Sequence, residues 1–130
     1  MHWVESLENP QAVSSLFSSA PDFSHIELHE VWLGRDGPVL RLRFDVTMVP
    51  SPLPRKCPKG SNTTQFAVAA WGIGSLQLTG WGTSMHGRLS VSLVGPEAKL
   101  TFFSSECELN ASFTALRVEK ITGYIDGRDG

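Results

Sequence analysis

Histidine, cysteine and paired carboxylates are the residues with which this chain could do chemistry. The histidines are His2, His25, His29 and His86. His25 and His29 stand four positions apart, a spacing that on a helix could chelate zinc. They fall instead in an alternating run. At about 3.3 Å per residue, a strand would set them roughly 13 Å apart, too far to share an ion. Cys57 lies among Arg55, Lys56 and Lys59, and nearby cations favour a thiolate. No histidine is close in sequence to serve as its base, so a loop cysteine with incidental basic neighbours is the favoured reading. Glu27 and Asp45 would face each other if paired residue numbers in the first hairpin sum to 72. Both alternate with other polar residues, which points to a wet face rather than to a carboxylate dyad with one proton held. Gly74-Ser75 lacks the second glycine of a serine-nucleophile turn. Gly72-Ile73-Gly74 and Gly80-Trp81-Gly82 lack the lysine and the spacing of phosphate loops. No cofactor, metal site or enzymatic activity is expected from these residues.

The connection after residue 48 is the strangest stretch. Pro50, Pro52, Pro54 and Pro58 are interleaved with Arg55, Lys56 and Lys59. The prolines do not give the P-x-x-P spacing of a polyproline ligand. They do stiffen the loop and stop the preceding strand from continuing. A connection over one mouth of a sheet is the favoured role.

The elements that must position these residues are mostly strands. Asn9-Pro10 reads as an N-cap followed by proline at the first helical position, with Ala12, Val13, Leu16 and Phe17 on one face. After Ser19-Ala20-Pro21-Asp22 the period becomes two. Residues 24–33 alternate with a phase slip near Glu30, the mark of a bulge. Residues 39–48 alternate for five steps, Leu40 to Met48, and pair with the previous run around Gly34-Arg35-Asp36-Gly37-Pro38. Further strands are expected over 64–71, 73–79, 88–94, 98–103 and 106–113, with a turn at Gly95-Pro96, and over 114–125, where a short helix is the alternative. Such spacing argues for a mainly β fold, an antiparallel sandwich or a partly open barrel with one short N-terminal helix. Trp32 and Trp71 are expected mostly in the core, while Trp81 could lie on either side.

Bulk properties narrow the class. The 130 residues suggest one domain, residues 1–125, with 126–130 as a frayed tail. With 41% hydrophobic and 18% charged residues the chain is not of disordered type. A net charge of −2 offers no cationic field for nucleic acid or anionic lipid. No apolar run is long enough for a membrane helix, and MHWVESLENPQ has no export-signal pattern. A cytoplasmic location with Cys57 and Cys107 as free thiols is therefore expected.

A series of features runs along nearly the whole chain. It comprises Trp3, Asn9-Pro10, Val31-x-Leu33, Asp36-Gly37-Pro38 and Leu40-Arg41-Leu42-Arg43-Phe44-Asp45. It continues through Pro54-Arg55-Lys56, Asn62-Thr63-Thr64-Gln65, Gly80-Trp81 and Ile121-x-x-Tyr124. This series resembles the immunity protein 50 family of bacterial polymorphic toxin systems. The family pattern has tryptophan where this chain has Cys57, so no role carries over to that position. The resemblance implies a cytoplasmic antidote that binds a cognate toxin domain and blocks it by occlusion, without catalysis.

For such a protein the candidate contact residues are Glu27, His29, Arg41, Arg43 and Asp45 on the wet face of the first hairpin. Arg35 and Asp36 at its turn join them, because mixed charge steers and selects partners. The alternative is a small-molecule-binding β-barrel module, its mouth covered by the proline loop with Arg55 and Lys56 and lined by Trp71 or Trp81. Exposed sheet edges leave monomer and homodimer both open.

Overall fold

The computed structural model describes residues 3–19, 21–50, 52–93 and 98–127. His2, Ala20, the Gly95-Pro96 turn and the last three residues of the tail lie outside the described residues. Eight strands form one antiparallel sheet: β1 Ile26–Gly34, β2 Val39–Val46, β3 Thr63–Trp71, β4 Ser75–Thr79, β5 His86–Ser92, β6 Ala98–Ser104, β7 Glu108–Phe113 and β8 Ala115–Tyr124. The final segment is thus a strand. The order is β4-β7-β6-β5-β1-β2-β3-β8, and the sheet is not closed into a barrel. Two meanders, β1-β2-β3 and β5-β6-β7, meet where Ile26 and Glu27 pair with Gly87 and His86. The mainly β, antiparallel reading with a short N-terminal helix holds.

Period-two alternation explains the core. Leu40, Leu42, Phe44 and Val46 of β2 point inward, as do Phe66, Val68 and Ala70 of β3. From the other meander come Leu89, Leu100, Phe102, Leu109 and Ala111. All join one buried cluster. Trp3 sits in a 3-10 turn, Trp3–Ser6, stacks on Phe23 at 4.0 Å and donates from Nε1 to the Pro21 carbonyl at 2.8 Å. Burying each large apolar side chain stabilises by about 1.5–3 kcal/mol.

The helix is a single turn, α1 Gln11–Ser14. Asn9 does not cap it. Its Nδ2 donates to the Val118 carbonyl at 2.8 Å, and its Oδ1 accepts from the Val118 N–H at 3.0 Å. The amide side chain thus stands in for a neighbouring strand beside β8. Glu8 N–H likewise donates to the Leu116 carbonyl, and Leu7 bridges Leu116 in parallel. Residues 7–9 thereby cover part of the β8 edge.

The phase slip in β1 falls at His29. Leu28 pairs with Phe44 and Glu30 with Arg43, leaving His29 as the extra residue. Beyond the bulge Trp32 pairs with Arg41 and so faces outward. It is 46% exposed, which corrects the expectation of a core tryptophan.

Candidate functional site

The outer face of β1, β2, β3 and β8 carries two groupings. The first is a stack. The Arg41 guanidinium lies 4.8 Å from the Trp32 ring centroid and 5.4 Å from that of Trp71. Its Nε donates to Glu119 Oε1 at 2.8 Å. Trp32 lies over Gly34, where an added Cβ would come within 2.5 Å of the indole. Val39 and Ala69, although on this outward side, are fully covered. Trp71 is half-buried here. Arg–aromatic contacts of this kind contribute roughly 0.5–1 kcal/mol at exposed sites and more when a partner excludes water.

The second grouping centres on Asp45. The sequence places it on the wet face, but it is only 7% exposed. Its carboxylate accepts from His29 Nε2 at 2.8 Å, from Gln65 Nε2 at 3.0 Å and from the Tyr124 hydroxyl. Glu27 pairs with Asp45 across the strands and reaches the His29 imidazole at 3.7 Å and that of His86 at 3.5 Å. The β1 bulge is what swings His29 over Asp45. Gln65 and Tyr124 are the members that residue chemistry missed. Both belong to the segments Asn62-Thr63-Thr64-Gln65 and Ile121-x-x-Tyr124, but neither segment says that its polar side chain meets Asp45.

Burial raises the Tyr124 pKa well above its ordinary value near 10, reinforced by the hydrogen bond and charge of Asp45. The proton is held more tightly in the folded chain. Below pH 10 neither state ionises and stability is unaffected. Above it only the unfolded chain ionises, so stability falls with rising pH, by at most about 1.4 kcal/mol per unit. The chain has a single tyrosine, so tyrosinate absorbance reads this residue alone. We expect no tyrosinate signal at pH 10 while the fold persists; a signal there with intact circular dichroism would contradict the arrangement.

The remaining candidates disperse. Arg43 reaches Glu30 at 3.8 Å on the same face. Arg35 and Asp36 pair with each other, at 3.6 Å, in the open turn. Trp81 is 52% exposed in the β4–β5 connection, far in topology from Trp71. Arg55 and Lys56 are exposed in the proline loop. A groove of about 440 Å³ runs beside this loop, between α1 and the edge of β8. Lys56, Cys57, Leu16 and Ile121 line it, and neither Trp71 nor Trp81 does. Cys57 Sγ packs on Gly123, where a Cβ would approach within 2.8 Å. Both cysteines are free, and burial raises the Cys107 thiol. Among the described residues no group of three or more His, Cys, Asp or Glu side chains could hold a metal ion, and no helix is long and apolar enough to cross a membrane.

The fold and this face define a mainly β protein, one open antiparallel sheet that presents a polar, aromatic-studded surface. The model of the immunity protein 50 family matches residues 9–124, and the chain belongs to that family. No curated protein and no solved structure matches the chain.

Proposed function

We propose that this chain is a cytoplasmic antidote of a bacterial polymorphic toxin system. It binds a cognate toxin domain and blocks it by occlusion, with no catalysis of its own. Family membership supports the antidote role. The observation that carries the surface is the stack of Arg41 between Trp32 and Trp71, beside the Glu30–Arg43 and His29–Asp45 pairs. Tryptophan and arginine are the residues most often found at the energetic centre of protein interfaces. Here they lie on a sheet face together with charges of both signs, which suits a partner of defined charge pattern.

The test is co-purification with the cognate toxin domain, followed by titration calorimetry. Trp32→Ala and Arg41→Ala should each weaken binding by about 2 kcal/mol, roughly thirtyfold in Kd. Full affinity in both variants would move the contact surface elsewhere. Absence of any complex with that toxin would remove the antidote reading.

A further inference from the structure

The two free edges of the sheet differ in how they are guarded. Along β8, residues 7–9 occupy the edge at Leu116 and Val118. The register then shifts between Ala67 and Val68, leaving Glu119 as a bulge, and Cys57 of the proline loop closes on Gly123. Bulges, charges and covering segments are the usual protections of an edge strand. Among the described residues the β4 edge has no bulge, no charge of its own and no segment hydrogen-bonded along it, although the β1–β2 turn at Leu33 and Arg35 borders a pocket with Ser75 and Leu76. Its residues Ser75-Leu76-Gln77-Leu78-Thr79 carry no charge and no proline, and its register with β7 is unbroken.

The hydrogen-bond phase shows which groups β4 offers. Ser104 N–H donates to the Cys107 carbonyl at 2.9 Å in the β6–β7 turn. Cys107, Leu109 and Ala111 therefore bond toward β6, and Glu108, Asn110 and Ser112 toward β4, because antiparallel strands alternate. The Ser112 carbonyl indeed accepts from Gly74 N–H at 3.1 Å. The partners of these residues, Thr79, Gln77 and Ser75, bond inward to β7. The N–H and C=O of Leu76 and Leu78 thus point out of the sheet. Their side chains end the core rows of Ala111 with Leu100 and of Leu109 with Phe102, yet are 36% and 45% exposed.

We propose that β4 pairs with β4 of a second copy of this chain, antiparallel about a two-fold axis through Gln77. This register sets Leu76 opposite Leu78 of the second copy, Gln77 opposite Gln77, and Ser75 opposite Thr79. Both outward residues then face outward residues, and each such pair exchanges two backbone hydrogen bonds. A slip by one residue would set outward groups against inward ones and make no such bonds. The four leucines meet on one side of the joined sheet. Because the strand is uncharged, the axis brings no like charges together at the seam. A closed two-fold contact between identical patches is the commonest form of homo-oligomer. The proposal is independent of the toxin reading.

Sedimentation velocity on the full chain, from micromolar to millimolar concentration, tests it. We expect a reversible dimer that Leu76→Lys/Leu78→Lys abolishes, because the axis would gather four lysines. Unchanged circular dichroism and thermal unfolding would show that this variant keeps its fold. The register is read separately. Gln77→Cys, in a Cys57→Ser background, should form a disulfide-linked dimer under mild oxidation, since the pair at the axis is of the close, non-hydrogen-bonded kind. Ser75→Cys, which would not meet itself, should not. A chain monomeric throughout, a dimer indifferent to the two lysines, or equal cross-linking at 75 and 77 would each overturn the proposal. A β4 edge that serves only a strand of another protein would give the first of these results.

Discussion

Phe66→Ala is expected to lower the free energy of unfolding by about 4 kcal/mol, the middle of the range for truncating a buried aromatic. Phe66 is fully buried. Around it lie the rings of Trp3, Phe17, Phe23 and Phe44, with centroids at 5.9, 6.2, 5.5 and 5.7 Å. These rings come from the 3-10 turn, the segment after α1, the approach to β1, and β2. No single neighbour can move into the gap without leaving another contact, so the cavity persists and its cost adds to the lost burial. Domains of this size are stable by roughly 5–15 kcal/mol in all, so the variant would sit near the edge of folding. Urea unfolding checks it. The midpoint should fall sharply with little change in slope. Phe103→Ala, at a residue 61% exposed, is the comparison and should be close to neutral. A loss below about 1.5 kcal/mol for Phe66→Ala would show that the aromatic cluster collapses readily and is not interlocked.

The second large effect is at Asp45. Replacing it with alanine strips the shared acceptor from His29, Gln65 and Tyr124 at once. We expect a loss of about 3 kcal/mol, since hydrogen bonds to a charged group are the stronger kind and the half-buried donors of Gln65 and Tyr124 are left unsatisfied, while exposed His29 turns to water. Asp45→Asn keeps the shape and one carbonyl oxygen, so it should cost clearly less. Tyr124→Phe removes one donor, and in the Asp45→Ala background its own cost should largely vanish. Denaturant unfolding of the two single variants and the double variant measures that coupling. Additive losses would mean that Asp45 and Tyr124 do not act on each other, and the account of this face would fail.

Much of the fold was legible because it follows from local rules. The alternation from Leu40 gave β2 and its inward side as far as Val46, where the strand ends; Met48, expected to continue it, lies beyond the strand and is exposed. The phase slip placed a bulge within one residue of where His29 makes it. What local rules missed depended on partners distant in sequence. Asn9 has the chemistry of a helix cap, but Val118, 109 residues away, takes its amide. Alternation gives Asp45 the correct side of β2 but not its burial, because its cover is Tyr124, 79 residues on. Trp32 reads as mostly core because tryptophan is favoured there. The bulge turns it outward, and Arg41 and Gly34 give it a seat there. Beyond the β1–β2 hairpin the order of strands was not legible. Each of β4 and β8 carries pairing groups on both sides, and nothing in its own residues says which neighbour it takes.

The clasp between residues 7–9 and β8 has a consequence for the order of events in synthesis. Asn9 is made 109 residues before its partner Val118. At about 5–20 residues per second, that is a wait of roughly 5–20 s. During it β3 also lacks its outer neighbour, because β8 is the strand that pairs with its far side. The meander β1-β2-β3 can form early, but its long-range closure cannot. Refolding from denaturant carries the same constraint, since contacts so remote in sequence place a fold among the slow, millisecond-to-second class. Residues 7–9 are thus translated well before the strand that secures them.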